Sequence, residues 1–257
     1  MKIGVCVSAK ESGRIKAAKE AGFDYIEISV SGLSDMTKSE VENFRDTLIS
    51  NNIPCEAANC FIKPDNKLVG KTVDYKAIIE YLDRVLPPAE DIGIKTIVFG
   101  SGGARNREDD FPADKAYRQV VLFLKEYAAP KCKNHGIEIA IEPLMREASK
   151  MIHTVKDAVQ LAKDSGKDNV KALADILHMY KNDDALDNIL KYDKGIIHSH
   201  ISNPKERYFP LSADEYDYKS FINNLKAVGC KRCSIEAHTD NFELDITPAF
   251  KTLDSLR

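Results

Sequence analysis

Four absences bound what this chain can be. It has no apolar run long enough to cross a bilayer, and the short one from Met1 to Ser8 ends at Lys10-Glu11, too short for the hydrophobic part of a secretory signal. A cytoplasmic location is the expectation. It has no excess of one charge: the formal net charge is -3, which gives no broad attraction to nucleic acid or to an anionic membrane. Any partner must therefore be recognised at a local site. It has no cysteine framework. Cys6, Cys55, Cys60, Cys132, Cys230 and Cys233 are scattered, as suits reduced thiols, and the lone pair Cys230–Cys233 has no second pair to complete a zinc site. Finally, Ser8-Ala9-Lys10-Glu11-Ser12-Gly13 supplies no G-x-G-x-x-G turn, which argues against a doubly wound dinucleotide-binding sheet.

What is present is a rhythm. With 257 residues, 43% hydrophobic and 30% charged, the chain can bury a sizeable core. Short β-branched or apolar runs alternate with longer amphipathic ones, the pattern of βα units around a parallel sheet. Eight strands are predicted at Lys2–Val7, Tyr25–Val30, Ile53–Ala57, Lys95–Phe99, Ile137–Glu142, Val170–Asp175, Gly195–His200 and Arg232–Glu236. Helices are predicted up to about Gly22, then at Lys38–Asn51, Tyr75–Ile92, Ala113–His135, Val155–Asp164, Asp184–Tyr192, Tyr218–Val228 and Pro248–Leu256. Gly22, Gly93, Gly136 and Gly229 fall between helix and strand, where a left-handed residue closes a helix. Pro87-Pro88 should break or kink the third helix. Eight units in this length predict one (β/α)₈ barrel domain over residues 1–257, with its active site at the C-terminal ends of the strands.

The stretch Gly136-Ile137-Glu138-Ile139-Ala140-Ile141-Glu142-Pro143 fixes where chemistry should lie. Side chains alternate along a strand, so Glu142 shares the inward face with Glu138 and Ala140, at the end where Pro143 stops the ladder. The same parity turns Asp175 inward with Leu173, His200 inward with Ile196 and His198, and Glu236 inward opposite Ile235. Taken singly, each acid has an ordinary alternative as an ion pair or cap. Three carboxylates and an imidazole at one rim would repel without a cation, so the four together point to a divalent metal: Mn²⁺ foremost, with Mg²⁺, Co²⁺, Fe²⁺ or Zn²⁺ also compatible. His178, one helical turn past Asp175, and Arg207, in the seventh βα loop, are candidates for substrate oxygens. Arg105, ending the small-residue turn Gly100-Ser101-Gly102-Gly103-Ala104-Arg105, and Glu27, ending the second strand inward, are further candidates for substrate contact, Glu27 alternatively as support for the site. His198 reads as a satisfied histidine of the barrel interior.

With these residues placed, the chain resembles the sugar phosphate isomerase/epimerase group of xylose-isomerase-like TIM barrels. The likeness rests on Val98–Arg105, Ile141-Glu142-Pro143-Leu144, Ala174-Asp175-Ile176-Leu177-His178-Met179, His198-Ser199-His200 and Ser234-Ile235-Glu236. The resemblance implies that Glu142, Asp175, His200 and Glu236 bind metal, that His178 and Arg207 contact substrate, and that Glu142 and Glu236 exchange protons with a substrate carbon, as in ketose 3-epimerases and hydroxypyruvate isomerases. Those enzymes commonly follow Glu-Pro-Leu with Asn-Arg and place a further glutamate six residues after the first. Here Met145 takes the asparagine place and Ala148 the glutamate place. The expected activity is isomerisation or epimerisation of a sugar or related hydroxy-carbonyl compound through a metal-stabilised enediolate. The alternatives are a lyase or dehydratase using the same enolisation and a non-catalytic sugar-binding barrel. Abasic-site endonucleases of the same superfamily carry extra histidines on earlier strands, whereas here the third strand runs into Asn59-Cys60 and the fourth into Gly100-Ser101. The expected partners are a small sugar or keto-sugar and possible further copies of the chain, with neither nucleic acid nor membrane.

Overall fold

The computed structural model describes all 257 residues. Eight parallel strands close into a barrel in sequence order: β1 (Lys2–Cys6), β2 (Tyr25–Ser29), β3 (Cys55–Asn59), β4 (Thr96–Phe99), β5 (Glu138–Ile141), β6 (Val170–Asp175), β7 (Ile196–Ile201) and β8 (Arg232–Ile235). Pairing of β8 with β1, through Lys2↔Arg232 to Val5↔Ile235, completes the ring. The strand count, order and closure agree with the sequence pattern. No helix is long and apolar enough to cross a membrane.

Strand parity sorts the core into two zones. Ile137, Ile139 and Ile141 face outward into the large apolar shell between barrel and helices. Inside, Val98, Ala140 and Leu173 form a small separate apolar group, contributed by neighbouring strands as layered barrel packing requires. One step further along the same three strands stand Gly100, Glu142 and Asp175. The rest of the interior is polar: Tyr25, Glu27, His198, His200 and Ser234 are all completely or almost completely buried.

Four helices depart from expectation, the predicted Asp184–Tyr192 being a 3₁₀ segment over Leu186–Lys191. The helix Tyr75–Ile92 runs through Pro87 and Pro88 without breaking. Those prolines withdraw two donors from the carbonyls of Asp83 and Arg84, and both of these residues are exposed, so water can take the place of the missing bonds. The predicted Ala113–His135 helix is α over Ala113–Leu122, π over Phe123–Ala128 and α again over Ala129–Asn134, with Pro130 set at the start of the last part. The wider turn lies just ahead of the residue that lacks an N–H. The last helix begins earlier than its proline suggests: it spans Phe242–Asp254, and the Asn241 side chain accepts from the Leu244 N–H at 3.2 Å.

Candidate active site

The C-terminal rim brings together the four residues that parity turned inward. One donor atom from each of Glu142, Asp175, His200 and Glu236 lies within 4.8 Å of all the others. His200 is the hub. Its Nδ1 stands 3.0 Å from Glu142 Oε1, 3.6 Å from Glu236 Oε2 and 3.8 Å from Asp175 Oδ2. Asp175 divides its oxygens: Oδ1 accepts from the His178 N–H at 3.0 Å, capping the short helix Ile176–Lys181, and Oδ2 is left for the cluster.

Below the rim a buried polar chain holds the imidazole in place. Glu27, fully buried, takes His200 Nε2 on Oε1 at 2.9 Å and His198 Nε2 on Oε2 at 2.8 Å. Ser234 Oγ, 3.5 Å from His198 Nε2, shares a 2.7 Å hydrogen bond with Tyr25. Only one nitrogen of His198 is satisfied, since its Nδ1 is buried without a partner. Of the two roles expected for Glu27, substrate contact and support of the site, the structure favours the second. Its burial and its two imidazole partners leave no oxygen for substrate, and a carboxylate bonded to the far nitrogen of an imidazole fixes the ring's orientation and protonation.

Charge follows from this packing. Burial raises the Glu27 carboxyl, but the imidazoles of His200 and His198 outweigh it and hold the acid well below its ordinary range. Burial alone would lower His200, yet the carboxylates of Glu27, Glu236 and Glu142 raise it well above the usual imidazole value. Glu142 is lowered by His200 against its own burial, while burial and the neighbouring Glu142 and Asp175 raise Glu236. A proton on His200 would occupy electrostatically the place a cation takes among these carboxylates. The donor set, one imidazole and three carboxylates converging within 4.8 Å, fits a hard or borderline divalent ion and not a thiolate-bound structural zinc.

The remaining candidates fall into two groups. His178 and Arg207 reach the rim. The His178 Nδ1 accepts from the Met145 N–H at 3.2 Å, so its Nε2 carries the proton when the ring is neutral. Met145 thus supports the site through its backbone, whatever its side chain. Arg207, in a left-handed conformation with φ of 61°, lays Nη2 2.6 Å from Glu236 Oε2. Arg105 does not reach the rim, contrary to the expectation of a substrate contact. It is fully buried, with Nη1 donating to the Phe99 carbonyl at 2.9 Å, Nη2 to the Glu142 carbonyl at 2.5 Å, and its guanidinium over the Phe99 ring. It ties the ends of β4 and β5 together from behind the site.

Two residues at the site escaped the sequence. Asn59 Nδ2 donates to Glu236 Oε1 at 3.1 Å and lies 3.5 Å from Cys6 Sγ. β3 runs two residues beyond its predicted end, so Asn59 terminates a strand instead of entering a loop. With that boundary, parity would have turned it inward beside Ala57. Cys6, at the end of β1, has its sulfur within 4.8 Å of donor atoms of His200 and Glu236.

Fold and rim together define a (β/α)₈ barrel with a carboxylate–histidine cluster at the C-terminal ends of its strands. The chain belongs to the xylose isomerase-like TIM barrel family, whose model matches residues 15–257. A D-psicose 3-epimerase of Agrobacterium fabrum is 27% identical over 193 residues, covering 72% of this chain; the match spans only 64% of that protein's length. Among solved structures, a D-psicose 3-epimerase with D-tagatose from Clostridium cellulolyticum superposes with a TM-score of 0.84 at 17% identity, covering 100% of this chain and 98% of that one. A 3-keto-D-glucoside 4-epimerase from E. coli gives 0.80 at 22% identity, covering 100% and 99%. An AP endonuclease of family 2 from Brucella melitensis gives 0.78 at 20%, covering 96% and 97%. At these identities the structural likenesses establish the fold.

Proposed function

We propose that the chain is a divalent-metal-dependent epimerase or isomerase of a sugar or related hydroxy-carbonyl compound. The observation that carries this reading is the convergence of Glu142, Asp175, His200 and Glu236 within 4.8 Å at the barrel's C-terminal rim. The epimerase names of the relatives support the reaction class. These four residues would hold the ion, and Mn²⁺ suits their three oxygens and one nitrogen best. When bound, the ion supplies positive charge that polarises a carbonyl and acidifies the neighbouring C–H.

The chain's own groups do the rest. Glu142 directly follows β5 and Glu236 directly follows β8, so they approach the cluster from different arcs of the barrel, with His200 between them. Two carboxylates so placed can address opposite faces of a planar carbon, one removing its proton and the other returning one, which is the geometry epimerisation needs. Arg207 and Asn59 each hold one oxygen of Glu236 and so set the direction of its lone pairs. His178, its Nδ1 taken by Met145, can present Nε2–H to a substrate oxygen.

The test combines metal content with proton exchange. Wild type should bind about one equivalent of Mn²⁺, and Asp175→Ala and His200→Ala should not. The loaded wild type should wash deuterium from solvent into a keto sugar at the epimerised carbon, and Glu236→Gln should stay folded while losing that exchange. Elimination products would reassign the reaction to a lyase, and sugar binding without exchange would mark a non-catalytic barrel.

A further inference from the structure

At the end of the barrel opposite the acid cluster lies a cavity of about 720 Å³. Lys2, Lys226, Lys231, Arg232 and Arg257 line it, opposed only by Asp24 and Glu56. Those carboxylates are already committed. Arg257 is shared between Asp24 at 2.6 Å and Asp254 at 2.7 Å, and Lys2 pairs with Glu56, whose other oxygen stands 3.7 Å from Arg232 Nε, beyond hydrogen-bond reach, so the uncompensated charge lies on Arg232, Lys226 and Lys231. Lys226 and Lys231 are exposed and make no ion pair.

Arg232 is the residue that asks for a ligand. It opens β8 in register with Lys2 of β1, so backbone pairing sets two cations side by side. Its Nε and Nη1 are buried with no acceptor. The side chain still keeps 16% of its surface exposed, with only Glu56 at 3.7 Å as counter-charge, so its open edge is available to an anion in the cavity. The concavity is net positive on a chain whose net charge is -3.

We propose that this cavity binds a phosphate-bearing small molecule, with the phosphate on Arg232, Lys226 and Lys231. A dianion matches the surplus of cations better than a single carboxylate, and a guanidinium fork flanked by lysines suits tetrahedral oxygens. The volume exceeds what a bare phosphate fills and falls in the range of small-molecule pockets, leaving room for the rest of the ligand. The site is separate from the acid cluster and stands whether or not the sugar reading holds.

Calorimetric titration with inorganic phosphate at constant ionic strength tests it. Wild type should show one saturable site. The double variant Lys226→Gln/Lys231→Gln changes only exposed side chains, so it should stay folded, and its affinity should fall about tenfold or more. Arg232→Gln should do the same, with circular dichroism confirming its fold. Glu236→Gln, at the far end of the barrel, should bind phosphate as wild type does. Heat no greater than that from chloride would overturn the proposal. So would unchanged affinity in the double lysine variant, or loss of binding in Glu236→Gln.

Discussion

Gly100 has no side chain because Glu142 occupies the space one would need: a Cβ there would stand 2.1 Å from Glu142 Oε2. Gly100→Ala should therefore leave the barrel intact but push the carboxylate out of the cluster, weakening Mn²⁺ binding at least about tenfold, as calorimetry would read. Unchanged affinity would mean that Glu142 is not held where the cluster needs it. Glu27 makes a second residue-scale case, with a pH signature. Its folded value is depressed, so its contribution is complete above its ordinary value of 4.5 and fades as pH falls toward the folded one. His200 is raised, so its contribution is complete below 6.5 and fades as pH rises toward its folded value. In chelator-treated protein, wild type should exceed Glu27→Gln in stability by about 3 kcal/mol, with the gap widest between these two pH values and narrowing on both sides. A gap that is flat with pH in denaturant titrations would remove the ion pair from the account. Glu27 was legible as an inward acid at a strand end, but its partners were not, since His198 and His200 lie more than 170 residues away in sequence.

At the scale of elements, alternation along single strands was enough to place Glu142, Asp175, His200 and Glu236 on one rim, because parity is a local property of an extended chain. It failed where an element's end was misplaced: two residues missing from β3 hid Asn59. It also said nothing about side chains that act across elements. Arg105 sits on the short helix Gly102–Arg105 and spends its donors on the carbonyls of Phe99 and Glu142, so it fastens two strand ends to a loop. Burial lowers its guanidinium to about 10, with Glu142 opposing the shift, yet it stays charged at neutral pH. Arg105→Met should leave the Glu142 carbonyl bare and the Phe99 carbonyl with only the Glu142 N–H at 3.2 Å, and cost about 2–4 kcal/mol, lowering the melting temperature and the metal affinity together. A contact made only with substrate predicts the contrary pattern, a raised KM with an unchanged melting temperature.

Across the whole molecule, the closed barrel concentrates charge at its two ends, carboxylates at the C-terminal rim and cations at the base. Closure forces this at the rim, because inward residues at the ends of β5, β6, β7 and β8 have only the axis to point toward. A cluster of three acids is a cost of folding that a proton on His200 relieves in part and a divalent ion relieves more fully. An ion that binds only the folded chain stabilises it by mass action, about 4 kcal/mol at a free concentration a thousandfold above its Kd. In a chain of this length that is a rise in melting temperature of roughly 10 °C. Chelator should reverse the rise in wild type, and in His200→Ala neither metal nor chelator should move the transition, because the hub of the cluster is gone. If His200→Ala melts with the same metal-dependent rise as wild type, the ion binds elsewhere, and the rim acids are held by Arg207, Asn59 and the His178 cap alone.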